Sequence, residues 1–263
     1  MNPSFRFLRH ALLGSTLLFS SVIAQDAAPS AKDLAAQLSN NIQDGSSLVR
    51  LKMDVRQPNA GGKMVLQLQV KSQRTKGSTD IVYQILWPKE RKGESFLLRK
   101  SGSRAPTGAV FTLPDSLVTL TAGKFGDGIF GSDLSYEDLV ENFFAWTNQA
   151  IVGTETVNRV PCVILESKAG GGDRSGYSKV RSWIDTKRMV PLRVEKFSSA
   201  GKSVKRIDTT KVAKDDTGRS VAASFSIQRP GQDSITEIEG SNIKHDVSFT
   251  AADFTPEALR TPK

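Results

Sequence analysis

The stretch Leu51-Lys52-Met53-Asp54-Val55-Arg56 alternates apolar and polar side chains, and Leu66-Gln67-Leu68-Gln69-Val70-Lys71 repeats the alternation beyond the turn residues Pro58-Asn59-Ala60-Gly61-Gly62. A period of two puts one set of side chains on each side of an extended chain. The two stretches therefore predict a pair of half-buried antiparallel strands. Working outward, Ile81, Tyr83, Ile85 and Trp87 share one face up to Pro88. Segments Ser95–Lys100, Ala109–Leu113 and Leu117–Thr121 extend the meander.

Upstream the period is that of a helix. Ser30 is a suitable N-cap, Asp33 lies in the first turn, and Leu34, Leu38 and Ile42 recur every four residues until Gly45. A second helical spacing, Leu139, Val140, Phe143, Phe144 and Trp146, follows the glycine-rich stretch Gly123–Gly131 and the capping residues Ser132, Asp133 and Ser135. The glycines at 123, 126, 128 and 131 are too irregularly spaced for a phosphate loop and read as a hinge. The rest alternates again: Ala150–Thr156, Val160–Ser167, Lys179–Asp185, Val190–Phe197, Val204–Val212, Val221–Gln228 and Ser234–Ile243. No composition break marks a linker. One α+β domain is predicted, a single large curved antiparallel sheet with helices on its concave side, because a sheet of this length must curl or close.

Residues 1–24 read as a signal peptide: Arg6 and Arg9 precede an apolar run from Ala11 to Ile23 that is too short to span a bilayer, and Val22-Ile23-Ala24 offers a small-residue cleavage site. The expected mature domain, 25–263, is exported, most simply to the periplasm. One cysteine in 263 residues excludes an intrachain disulfide framework. The net charge of +9 is spread along the chain, as at Lys187-Arg188 and Lys205-Arg206, and reads as solvated surface. Export and the lack of an aromatic-basic platform leave nucleic acid without a role.

A search for catalytic chemistry finds little. His245 is the one histidine after the leader, no G-x-S-x-G occurs, and one His with one Cys does not make a zinc site. Cys162 sits in an apolar strand and reads as a buried small hydrophobe. Asp133, Glu137, Asp138 and Glu141 lack the spacing of a calcium loop, and helix N-terminal electrostatics suffice to explain the first three. No enzyme activity, metal or cofactor is expected. A curved apolar sheet face under Phe143, Phe144 and Trp146 encloses either a filled core or a ligand cavity. Residue patterns alone favour the filled core, because inward aromatics are ordinarily packing residues.

The run Phe130-Gly131-Ser132-Asp133-Leu134-Ser135-Tyr136-Glu137-Asp138-Leu139 resembles the G-S-D-[FL]-S-Y-E-D-L signature of LolA-like outer-membrane lipoprotein-sorting proteins. Gly153-Thr154-Glu155 with Val160-Pro161-Cys162-Val163-Ile164-Leu165-Glu166 is similar to that family's G-x-E…P-C-x-x-L-E strand pair. Trp183-Ile184-Asp185, Pro191-Leu192-Arg193-Val194-Glu195 and Ser199-Ala200-Gly201-Lys202 resemble its hairpins.

The resemblance implies an incomplete β-barrel (LolA/LolB-like) closed by helices, and a periplasmic carrier rather than an enzyme. Its hydrophobic cavity would hold acyl chains of lipoproteins or other lipids, passed from an inner-membrane donor to an outer-membrane acceptor protein. The expected lining is Leu51, Met53, Val55, Leu66, Leu68, Val70, Tyr83, Ile85, Phe96 and Leu98. The helix after Gly131, with Leu139, Phe143 and Trp146, is the expected lid. The alternative from another class is a periplasmic sensor or accessory module that binds a membrane partner on the same fold without carrying lipid.

Overall fold

The computed structural model describes residues 29–42, 45–57, 59, 61–173, 175–240 and 243–260. The expected leader lies outside the described residues. Helix α1 (Ala31–Ile42) starts where the Asp33 N–H donates to the Ser30 hydroxyl at 3.2 Å. Fourteen strands follow among the described residues, all in one sheet: β1 (Gly45–Gln57), β2 (Gly62–Arg74), β3 (Ser78–Trp87), β4 (Ser95–Ser101), β5 (Thr107–Thr112), β6 (Ser116–Thr119), β7 (Asn148–Val157), β8 (Val160–Lys168), β9 (Lys179–Asp185), β10 (Val190–Phe197), β11 (Ser203–Lys214), β12 (Ser220–Gln228), β13 (Ile235–Gly240) and β14 (Lys244–His245). A five-residue helix α2 (Tyr136–Val140) lies between β6 and β7.

The spatial order is β6-β5-β4-β3-β2-β1-β13-β12-β11-β10-β9-β8-β7, with β14 paired to the start of β1. Every pairing is antiparallel, and β1 joins the two meanders by pairing with β13 and, at its start, with β14. The sheet remains open, with β6 and β7 as its two borders. Twist of about 20–25° between neighbouring strands makes a row this long curl on itself.

The registers trace one apolar inner face around the curl. Phe96 stands opposite Tyr83, Leu68 opposite both Ile85 and Leu51, and Met53 opposite both Leu66 and Ile238. The trace continues through Phe225, Ile227, Ile207, Val194, Ser182 and Leu165. Helix α1 packs Leu34, Ala35 and Leu38 on Leu165 and Ile184 of this face.

Two bulges decide where side chains point. Trp87 pairs with Gln67 but Ile85 pairs with Leu68, so the shift removes Trp87 from the inner face, and it is half exposed. On β7, Val152 is the extra residue between Ile151 and Gly153.

The central strands are covered on both sides. Phe254 and Leu259, in two short 3₁₀ turns (Ala251–Phe254 and Glu257–Arg260), pack against Val82, Leu97, Ala109 and Phe111 on the outer face. This explains why Ile81-Val82-Tyr83 and Phe96-Leu97-Leu98 are continuous apolar runs rather than alternating ones. Among the described residues no helix is long and apolar enough to cross a membrane.

Candidate functional site

The inner face under β1–β4 and β13 is the expected pocket, and residues 125–140 fill it. Met53, Val55, Leu66, Leu68, Val70, Tyr83, Ile85, Phe96 and Leu98 form one buried cluster with Phe125, Ile129, Leu134, Tyr136 and Val140; Leu51 and Leu139 pack at its border. Met53, Leu66, Leu68, Ile85, Phe96, Leu98 and Ile129 show no exposed surface. The space between strands and plug is therefore solid in this conformation. At its centre Phe96 stacks on Tyr83 with ring centroids 5.0 Å apart, meets Tyr136 edge-on at 5.0 Å and touches Phe130 at 5.1 Å.

The expected single lid helix is corrected. Helix α2 ends at Val140, the chain extends through Glu141, and a separate 3₁₀ turn covers Phe143–Ala145. Asn142 and the aromatic residues after it are weak helix formers, and each finds a tertiary partner instead. Phe144 packs with the α1 cluster, Trp146 packs with Tyr177, Val180 and Val194, and Phe143 bridges the two. Of the expected lid residues, Leu139 alone joins the cluster of the half-barrel face.

The glycine-rich stretch is built in rather than free-standing. Its backbone is tied by Ile129 N–H to Leu134 O at 2.7 Å and Glu137 N–H to Phe125 O at 2.9 Å. A Cβ on Gly128 would lie 2.0 Å from the Ser132 carbonyl oxygen. Gly128→Ala is accordingly expected to destabilise the chain by about 2–4 kcal/mol, because the obstacle is backbone and cannot rotate away. Urea unfolding checks this, and a shift under about 0.5 kcal/mol would mean that the loop relaxes freely.

Polar staples hold the plug in place. The buried Asp133 carboxylate accepts from Ser234 Oγ at 2.6 Å and Thr236 Oγ1 at 2.8 Å, fixing the signature motif to β13. Glu137 accepts from Ser175 Oγ and the Gly176 N–H, both at 2.6 Å. Glu141 accepts from Lys100 Nζ at 2.5 Å and Trp146 Nε1 at 2.8 Å, and Arg74 donates to the Leu139 carbonyl at 3.2 Å.

Asp138 is the deepest of these acids. Lys196 and Lys205 stand directly opposite each other on β10 and β11, with side chains 2 % and 5 % exposed. Two ammonium groups so placed repel, and the Asp138 carboxylate lies between them. Lys196 Nζ is 2.7 Å from one oxygen and Lys205 Nζ contacts the other. Tyr177 Oη and the Ser135 N–H and hydroxyl also donate to it, each at 2.8 Å. Burial would raise the Asp138 carboxyl, but the two ammonium groups overcome it and hold the group well below the usual carboxylate range. Burial pushes Lys205 down against the pull of Asp138, and burial together with the Asp138 charge pushes Tyr177 up.

Two sequence readings are corrected here. Helix electrostatics do not suffice to explain Asp133 and Asp138, and Lys205 is not solvated surface. The missed signal is parity: Lys196 shares its face with Val194, and Lys205 shares its face with Ile207.

Cys162 is buried, as its apolar strand predicts, and burial raises its thiol. Asp215, Asp216 and His245 bring ligand atoms within 4.8 Å of one another. That group is paired internally: His245 Nδ1 lies 2.5 Å from Asp216, and the Arg219 guanidinium sits 3.2 Å from both Asp215 and His245 Nε2.

With this geometry in view, comparison with known proteins is informative about fold. A family model described only as that of an uncharacterized protein matches residues 77–261. The chain belongs to that family. A DUF1329 family protein from Desulfovibrio piger superposes with a TM-score of 0.80 at 21 % identity, covering 87 % of this chain and 97 % of that one. A putative outer membrane lipoprotein-sorting protein domain from Vibrio parahaemolyticus gives 0.75 at 19 % identity, covering 86 % and 97 %. A LolA superfamily protein from Nitrosomonas europaea gives 0.69 at 17 % identity, covering 88 % and 100 %. The fold is LolA-like: one large antiparallel sheet, not closed, with few helices. A search of curated proteins returns no match.

Proposed function

We propose that this chain is a periplasmic carrier that shelters acyl chains of lipoproteins or lipids between the inner sheet face and a displaced 125–140 plug. The observation that carries the reading is the continuous apolar face running from Phe96 through Leu68 and Met53 to Ile238, covered by a segment whose polar anchors gather on Asp133, Glu137 and Asp138. Solved structures of the same fold include one named as a putative lipoprotein-sorting domain. Each methylene removed from water is worth about 0.8 kcal/mol, so a chain of about 16 carbons represents on the order of 12 kcal/mol of transfer. An apolar face of this kind competes for such a chain only if the plug leaves it. Donor and acceptor proteins in the inner and outer membranes complete the proposed route.

The test is incubation of the purified mature chain with a triacylated lipopeptide, followed by native mass spectrometry and hydrogen exchange. A one-to-one complex is expected, with faster exchange at the Ile129, Ser132 and Glu137 amides and unchanged exchange in β2 and β3. No complex, or a complex in which those amides stay protected, sinks the reading. One observation favours a second reading: the solid inner face needs no ligand, as expected of an interaction module that binds a membrane partner. That module would form a partner complex unaffected by delipidation.

A further inference from the structure

We propose that the cavity on the outer face of β2, β3 and β4, roofed by the C-terminal strap 249–260, binds short peptides through the side-chain amide of Gln84. This site lies on the opposite side of the sheet from the plug and does not rest on the carrier reading. Registers place Gln69, Gln84 and Ser95 in one row across the three strands, with Lys71 and Val82 in the next row. The strap is tied over them by Ser95 Oγ to the Leu259 carbonyl at 3.1 Å and by Arg99 Nη2 to the Phe254 carbonyl at 3.0 Å. Between strap and strands lies a cavity of about 370 Å³, within the range of small-molecule sites.

Gln84 is 7 % exposed, lines this cavity, and its side chain makes no hydrogen bond among the described residues. With no side-chain partner, and absent from the buried atoms that lack one, the Gln84 amide opens into the cavity, where a ligand that displaces water has to meet both its donor and its acceptor. The complementary group must accept and donate in one plane, and a peptide unit does both. The rim supplies both signs of charge. Lys71 Nζ is 3.4 Å from Asp253 Oδ1, and Asp253 Oδ2 is already held at 2.9 Å by the Thr250 N–H and hydroxyl, so Lys71 keeps free donors. Glu257 adds a second carboxylate to the lining. One lysine against two carboxylates repels a nucleotide or other polyanion, whereas a zwitterionic peptide offers a carboxylate to Lys71 and an ammonium to the acids.

The experiment is titration of trialanine into the ¹⁵N-labelled mature chain. Saturable shifts are expected at the Gln84 side-chain amide and at the 250–259 backbone. Gln84→Leu should keep native far-ultraviolet circular dichroism and lose at least tenfold in affinity. Should that variant misfold, Gln84→Met serves, with the same loss expected. Absence of saturable shifts at these resonances overturns the proposal, and so does undiminished trialanine binding in the folded variant.

Discussion

Asp138→Asn is expected to lower stability by about 3–5 kcal/mol. The substitution keeps the shape but turns one accepting oxygen into an NH2 that faces donors, and it leaves Lys196 and Lys205 facing each other in the interior without a counter-charge. The cost is that of stranded charge, not the net worth of an ion pair, so a second variant separates the two. Asp138→Leu combined with Lys196→Met and Lys205→Met should recover part of the loss, because no charge is left stranded, although Tyr177 Oη and the Ser135 N–H and hydroxyl lose their acceptor. Urea denaturation measures both. Failure of the triple variant to exceed Asp138→Asn would show that the pairing itself, and not the relief of repulsion, dominates.

The same group sets an acid limb. The folded-state value of Asp138 lies below its unfolded value, so its contribution is complete above the ordinary carboxylate value of about 3.9 and is lost as pH falls below it toward the folded value. Stability of the parent chain should therefore fall below about pH 4 more steeply than that of Asp138→Asn. Equal slopes would remove Asp138 from the acid transition.

Phe96→Ala is expected to cost about 3–5 kcal/mol for a different reason. Phe96 has no exposed surface and meets three rings, of which Tyr83 belongs to the sheet and Phe130 and Tyr136 to the plug. Removing its ring opens a void bounded by both bodies. Part of the cost is lost transfer energy and part is the cavity left behind. If the plug can leave as proposed, the variant should also accept the lipopeptide more readily, since one of the contacts to be broken is already gone. A loss under about 1 kcal/mol would mean that the plug collapses into the gap, which native-state hydrogen exchange at Ile129 would reveal.

Much of the sheet was legible from side-chain alternation because most strands have one wet face. Leu51 to Val55 and Leu66 to Val70 read directly, and their observed cross-strand pairing keeps the expected face. Legibility stopped where both faces are dry. Nothing in the alternation of β3 and β4 announces that the strap bearing Phe254 and Leu259 returns to cover Val82 and Leu97; the signal was the lack of alternation itself. The lid was misread because apolar residues at helical spacing do not require a helix when the aromatics are held by tertiary clusters, Phe144 by that of α1, Trp146 by that of Tyr177 and Phe143 by both. The acids of the signature motif were assigned to local helix electrostatics because their partners come from β10, β11 and β13, about 60 to 100 residues downstream. Such pairing carries no short-range trace except a lysine on an apolar parity.

The open border at β7 has a consequence for behaviour in crowded solution. A ten-residue strand with unmet amides is a template onto which a foreign strand can grow. Val152, the inserted residue, breaks the repeat of those amides midway, so an incoming chain stays in step over only about half the length. Deleting that single residue would restore an unbroken docking rail, and light scattering should then show a larger share of self-associated chains than in the parent.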